Sequence, residues 1–409
     1  MPHALNPVQL RRLLARTLRV ALDGGPAHQQ LIERWAEAQA SERRWVAALT
    51  WDGVGAAVGW ALSALDLKGV APPELETPAT LAYEEARVQS AQMSAYLERL
   101  GVELEAAGIP AVALKSSALL AGNIAPAHGI RWMGDIDILV PEAQVEPAAW
   151  VLESLDYVRA GARDVLDAEA ARPFHDGFLG PDGQVVELHW RLGPPRWGEE
   201  WRADGWFARA TASAAAGLKV PSATDLFWHF LFHDARNHAW SSGSLRAALD
   251  LALVARARGF ALPEILRRLE NDPRPGALFE AIADAANLSP ILAAEIEPSP
   301  QPRYLRLAGW RDSIGRRKWT TPRIAEAIAW GATLDRARRY GGWHTAFDRA
   351  LRFLPEAPTG TSLGAKLRRV FMSVRRAGFI GALAASHFVS VQGHVRHETR
   401  RQLPGALSA

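Results

Sequence analysis

"RWMGDIDILV", residues 131–140, sets two aspartates one residue apart inside an apolar run. Ile136, Ile138, Leu139 and Val140 have the character of a buried strand. An ionised carboxylate taken out of water is costly unless it is paired or binds a metal. Asp135 and Asp137 therefore demand a cation. Side chains on a strand alternate between faces, so these two aspartates project one way while Ile136 and Ile138 turn toward the core.

The surrounding sequence supplies neighbours for that strand. IPAVAL (109–114) predicts another strand, and KSSALLAG (115–122) a loop running into a short helix. PEAQVEPAAWVLESLD (141–156) predicts a helix opened by its proline. FHDGFLG, the turn PDG and QVVELHW (174–190) predict a β-hairpin. Within QVVELHW, Glu187 and His189 share one face, and Val186, Leu188 and Trp190 take the other. If the strand of Glu187 lies beside that of Asp135, three carboxylates line one side of a sheet. Such oxygen ligands suit Mg²⁺ or Mn²⁺, with nucleotide phosphates completing the shell. Two such ions stabilise both the attacking and the leaving oxygen of an in-line phosphoryl displacement.

A lone Asp-x-Asp at a strand start also serves as a mere turn and cap. That plain reading loses weight because of what precedes it. Lys115, Ser116 and Ser117 stand at a helix start after a strand, where backbone N–H groups, hydroxyls and a cation suit a phosphate chain. Arg131 lies just ahead of the carboxylates, well placed for a phosphate.

LKSSALLAG, GIRWMGDIDILV, a helix ending LESLDY, and GQVVELHW together resemble the bacterial uncharacterised nucleotidyltransferase family of the polymerase-β superfamily. HFLFHDARNH followed by LRAALDLALVARARG resembles the helical segment that closes that family's domain. The resemblance spans roughly residues 80 to 260. It implies a nucleotidyltransferase fold, with Asp135 and Asp137 as metal ligands and Glu187 as the third carboxylate. It also implies that the Lys115–Ser117 loop holds the triphosphate of an NTP. One departure stands out: the family usually has glycine after the lysine, where this chain has Ser116. Glycine permits close backbone approach to phosphate.

The expected class is thus α+β: a polymerase-β-type core of a small mixed sheet with helices, flanked by helical domains. Its expected parts are a helical domain (1–75), the α/β core (76–220), a second helical domain (221–355) and a basic helical tail (356–409). In the first part, Leu10, Leu13, Leu14, Leu18, Leu31, Trp35 and Ala38 recur at helical spacing. Breakers at 24–27 and 71–78 place the start of a long helix near residue 79.

The composition narrows the chemistry. The chain of 409 residues has no cysteine, which excludes disulfides, thiolate metal sites and a cysteine nucleophile. No apolar run is long enough for a membrane span, and MPHALNPVQLRRLL lacks the order of a signal peptide. A cytoplasmic location is the expectation. Only five lysines stand against forty-two arginines, so a lysine at residue 115 is the more informative.

The histidines and the tail leave alternatives open. His229 and His233 are four apart on an expected helix, with His238 beyond, but no carboxylate-rich partner accompanies them. Packing at a domain interface and contact with nucleotide or acceptor both fit. His189 is either support for the metal ligands, a satisfied core histidine or a nucleotide contact. KLRRVFMSVRRAGFIGALAASHF (366–388) reads as a solvated helix face or as a site for an anionic surface or acceptor. No named nucleic-acid motif accompanies the basic charge, so nucleic acid is not an expected partner. The leading expectation is Mg²⁺-dependent transfer of a nucleotidyl group from an NTP to an acceptor hydroxyl or phosphate. The alternatives are tailoring of a small peptide or glycan with phosphate or sugar, and a non-catalytic nucleotide-binding protein on the same fold.

Overall fold

The computed structural model describes residues 5–25, 29–38, 49, 53–159, 174–193, 204–236, 244–272 and 275–305. Among the described residues the first helices are α1 (Pro7–Asp23), α2 (Gln29–Ala36), α3 (Gly55–Ala64) and α4 (Pro73–Ala106). Asn6 caps α1 by accepting from the N–H groups of Val8 and Gln9, and Gln9 returns the bond to the Asn6 N–H. The buried face of α1 carries Leu10, Leu14 and Leu18, the spacing expected of an amphipathic helix.

The long helix begins at Pro73, earlier than its prolines suggest. Pro73 sits in the first turn, where a missing N–H costs nothing. Pro78 forgoes one helical hydrogen bond. Packing compensates: Leu75 and Ala79 are fully buried, and a Cβ added to Gly59 of α3 would lie 2.1 Å from the Ala79 carbonyl oxygen. The boundary expected after residue 75 therefore falls inside α4.

The sheet follows. Its strands are β1 (Ala111–Ala113), β2 (Ile136–Leu139), β3 (Val158–Arg159), β4 (His175–Leu179), β5 (Val185–His189), β6 (Thr211–Ala212) and β7 (Leu218–Val220). Their order is β3-β4-β5-β2-β1-β7-β6. The β2–β5 and β1–β7 pairs are parallel and the other neighbours antiparallel. Val112, Ile136, Ile138, Val186 and Leu188 are buried. The C-terminal half of α4 is pinned to the approach to β7 by backbone contact. A Cβ on Gly217 (φ 72°, left-handed) would lie 2.1 Å from the Gly101 carbonyl oxygen.

Helices α5 (Lys115–Ala121), α6 (Val145–Ser154) and α7 (Asp204–Arg209) interleave with the strands. The expected proline-opened helix is a 3₁₀ turn (Glu142–Gln144) leading into α6. After the sheet come α8 (Ala223–Arg236), α9 (Leu245–Ala255), α10 (Leu262–Glu270), α11 (Pro275–Ala286) and α12 (Pro290–Ala293). Ser222 caps α8 by accepting the Asp225 N–H at 3.1 Å. The fold is α+β, a mixed sheet with helices and helical segments on either side in sequence. All described residues belong to one unit of the chain, Met1–Ala168 with Arg172–Ala308. No described helix is long and apolar enough to cross a membrane. His238, the boundary at 355/356 and the basic segment 366–388 lie outside the described residues.

Candidate active site

Register assembles the site. Parallel pairing of β2 with β5 sets Asp137 directly opposite Glu187, so their side chains leave the same face. Antiparallel pairing of β4 with β5 sets His175 opposite His189. Glu187 and His189, two residues apart on β5, complete a polar patch in the middle of the sheet. Asp135 immediately precedes β2 and is half-buried.

Lys115 supplies the cation that the sequence demanded. It opens α5 directly after β1 with φ 47°, a left-handed conformation that costs about 1–2 kcal/mol for a side chain other than glycine. Its ammonium donates to Asp137 Oδ1 at 2.5 Å and to Glu187 Oε2 at 3.2 Å. His189 Nε2 lies 3.0 Å from Asp137 Oδ1 and 3.3 Å from Glu187 Oε2. The Asp137 backbone is fixed as well: its N–H donates to Ser117 Oγ at 3.0 Å and its carbonyl accepts the Leu114 N–H at 2.9 Å. Asp137 is 1% exposed.

Charge and burial compete throughout. Burial pulls the Lys115 amine down, but Asp137, Glu187 and Asp135 outweigh it and hold the amine protonated above its usual range. Burial also acts to raise Glu187, yet the His189 hydrogen bond and the Lys115 charge bring it well below the usual carboxylate range. Asp135 goes the other way. Burial, joined by the Asp137 charge, pushes its carboxyl up to about 6. His189 is raised, because its bonds to Asp137 and Glu187 overcome the cost of burying its charged form.

The remaining expected residues divide. Ser116 is buried in α5, has no left-handed backbone, and lines a cleft of about 160 Å³ with Ser90, Asn123, His128 and Arg131. Ser117 is fully buried, and its hydroxyl oxygen is engaged by the β2 backbone. The Arg131 Nε donates to both Asp250 oxygens of α9, at 2.9 and 3.2 Å. Next to it, the Gln89 side chain brackets the Met133 backbone, accepting its N–H at 3.1 Å and donating to its carbonyl. The loop leading to Asp135 is thus tied to both α4 and α9. His229 is 1% exposed, with its ring edge-on to Trp206 at 5.7 Å, and burial holds both His229 and His233 well below the usual histidine range.

Sequence reasoning missed His175, Asp250 and Gln89. For His175 a signal existed: counting outward from the Pro181-Asp182-Gly183 turn brings it opposite His189. Asp250 is a single acid in the apolar helix LRAALDLALVA, which by itself calls for a buried cation. Gln89 carries no such mark.

A family model described as an uncharacterised nucleotidyltransferase matches residues 39–288, more than half of the chain. The chain belongs to the uncharacterised nucleotidyltransferase family. No curated protein and no solved structure matches it. Family membership supports nucleotidyltransferase activity in general and an NTP as substrate. Asp137 and Glu187 offer donors that suit a divalent ion, whereas among the described residues the three carboxylates do not form a group whose ligand atoms all lie within 4.8 Å of one another. Asp137 and Glu187 already grip one cation, the Lys115 ammonium, and their oxygens are hard donors of the kind Mg²⁺ takes.

Proposed function

We propose that this nucleotidyltransferase is Mg²⁺-dependent and moves a nucleotidyl group from an NTP to an acceptor hydroxyl or phosphate. The observation that carries the reading is the registered pair Asp137–Glu187 sharing one cation across β2 and β5. In this reading Asp135, Asp137 and Glu187 hold the divalent ion, which supplies Lewis-acid polarisation of the reacting phosphate. Lys115, displaced from the carboxylates, turns to the triphosphate. Ser116 and the α5 backbone N–H groups face the same anion, and Arg131 borders the cleft that receives it. His189 holds Asp137 and Glu187 in place rather than touching nucleotide. A carboxylate of this set that the ion leaves incompletely neutralised would accept the proton of an attacking hydroxyl. Ser116 in place of glycine does not argue for a lost activity, since the backbone there needs no left-handed conformation.

The test uses NTP labelled separately at the α- and γ-phosphates, with Mg²⁺ and fractionated small-molecule, peptide and glycan acceptors. Label from the α-phosphate should pass to an acceptor, and Asp137→Asn should abolish the transfer. Transfer of the γ-label alone would favour phosphate tailoring instead. Failure of NTP and Mg²⁺ to bind by calorimetry would end both readings.

A further inference from the structure

His175 has no part in the reading above, yet it closes a group of its own. Among the described residues, His175, Glu187 and His189 offer ligand atoms that all lie within 4.8 Å of one another. The His175 Nε2 is 4.0 Å from Glu187 Oε1, and the His189 Nε2 is 3.3 Å from Glu187 Oε2. Four ligands about 2.0–2.1 Å from a tetrahedral ion stand about 3.4 Å apart, close to the second of these spacings. The first needs only a small side-chain adjustment.

Two further observations tie both rings to this spot. They are mounted on directly paired residues of β4 and β5, with ring centroids 4.9 Å apart, so the backbone ladder fixes their separation. Among the described residues, the Nδ1 of each ring is buried without a hydrogen-bond partner. Neither imidazole is therefore anchored elsewhere through that nitrogen, and the polar contacts of both run through Nε2 into the carboxylates.

The donor set, two imidazoles and one carboxylate, is not what Mg²⁺ selects, for Mg²⁺ takes oxygen ligands and keeps much of its water. Imidazole nitrogen favours the later divalent transition metals. We propose that His175, Glu187 and His189 form a binding site for a borderline transition-metal ion of the Zn²⁺ type, distinct in ligand chemistry from the aspartate site beside it. Three protein ligands leave a fourth position open to water or to a substrate oxygen. The two sites share Glu187. The inference does not depend on nucleotidyl transfer.

The experiment is equilibrium dialysis of the full chain against Zn²⁺ in a large excess of Mg²⁺, followed by Co²⁺ loading and visible absorption. The chain should retain Zn²⁺ against Mg²⁺, and the Co²⁺ form should absorb as a low-coordinate nitrogen and oxygen site does. His175→Ala should weaken Zn²⁺ binding at least about tenfold, since even loss of an outer partner costs that much. Displacement of Zn²⁺ by Mg²⁺, or wild-type Zn²⁺ affinity in His175→Ala, would overturn the proposal. Should His175→Ala fail to fold by circular dichroism, the Mg²⁺ competition on the unaltered chain decides alone. Zn²⁺ binding that survives while labelled NTP gives no transfer would end the catalytic reading and leave this one standing.

Discussion

Two residues apart in sequence, Asp135 and Asp137 answer differently to the loss of their charge. Asp137 is the acceptor for Lys115 and His189, so Asp137→Asn leaves buried cations short of a partner. It should destabilise the metal-free chain by about 3 kcal/mol, as breaking a buried ion pair does. Asp135 has a folded pKa of about 6, above the usual carboxylate value, so the folded state binds its proton more tightly than the unfolded chain. Stability must then fall as pH rises from the ordinary carboxylate range through about 6. Asp135→Asn removes that penalty and should stabilise the metal-free chain by about 2–3 kcal/mol at pH 8, with the gain fading below pH 4. Urea titrations of both variants across pH check the pair of outcomes; equal shifts would refute the distinction. Strand phase alone makes the two aspartates equivalent, and that much was legible in the sequence. What was not legible is Lys115 folding back over the strands, because its left-handed φ leaves no mark in composition. For Ser116, burial beside the cleft supports a donor role. Ser116→Gly should weaken NTP binding by about 0.5–1.5 kcal/mol, the net value of one hydrogen bond. Calorimetry with Mg²⁺ would show tighter binding if the side chain merely crowds the phosphate.

Among the elements, β1, β2 and the β4–β5 hairpin were legible because their signals are local: alternation of side chains and a Pro-Asp-Gly turn; β3, β6 and β7, two or three residues long, were not. Which strand lies beside which was not, since pairing β2 with β5 joins segments separated by α6, β3 and β4. The start of α4 was misplaced for a different reason. Tertiary packing at Gly59 and Ala79 outweighs the local cost of Pro78. The loop before β2 also takes its shape from afar, from Gln89 on α4 and Asp250 on α9. Asp250 is 3% exposed and Arg131 15% in their side chains, so the pair is largely out of water. Asp250→Asn should therefore loosen residues 129–135 and speed their amide exchange. The amide of Asp137, bonded to Ser117, should keep its protection. Equal exchange across the loop in both proteins would show that Arg131 is held by other contacts.

Taken whole, the molecule is organised along α4, whose 34 residues run about 50 Å at the helical rise. Its first turns carry α3 and its last turns meet β1 and β7, so the N-terminal helices and the sheet share one axis. The polar patch lies on β2 and β5, which are buried in the middle of the sheet order rather than at an edge. Removing divalent ions with a chelator should leave the urea midpoint of the chain within about 1 kcal/mol of its starting stability and the transition cooperative. A collapse of the transition would show that the ion is part of the fold, as it is in small metal-dependent domains. The reason lies in the Lys115 ammonium. A polypeptide that brings its own counter-charge to an anionic pocket can finish folding on the ribosome's schedule and be loaded afterwards. For the divalent ion proposed above, the choice of metal would then pass from synthesis to the surrounding pool of free ions.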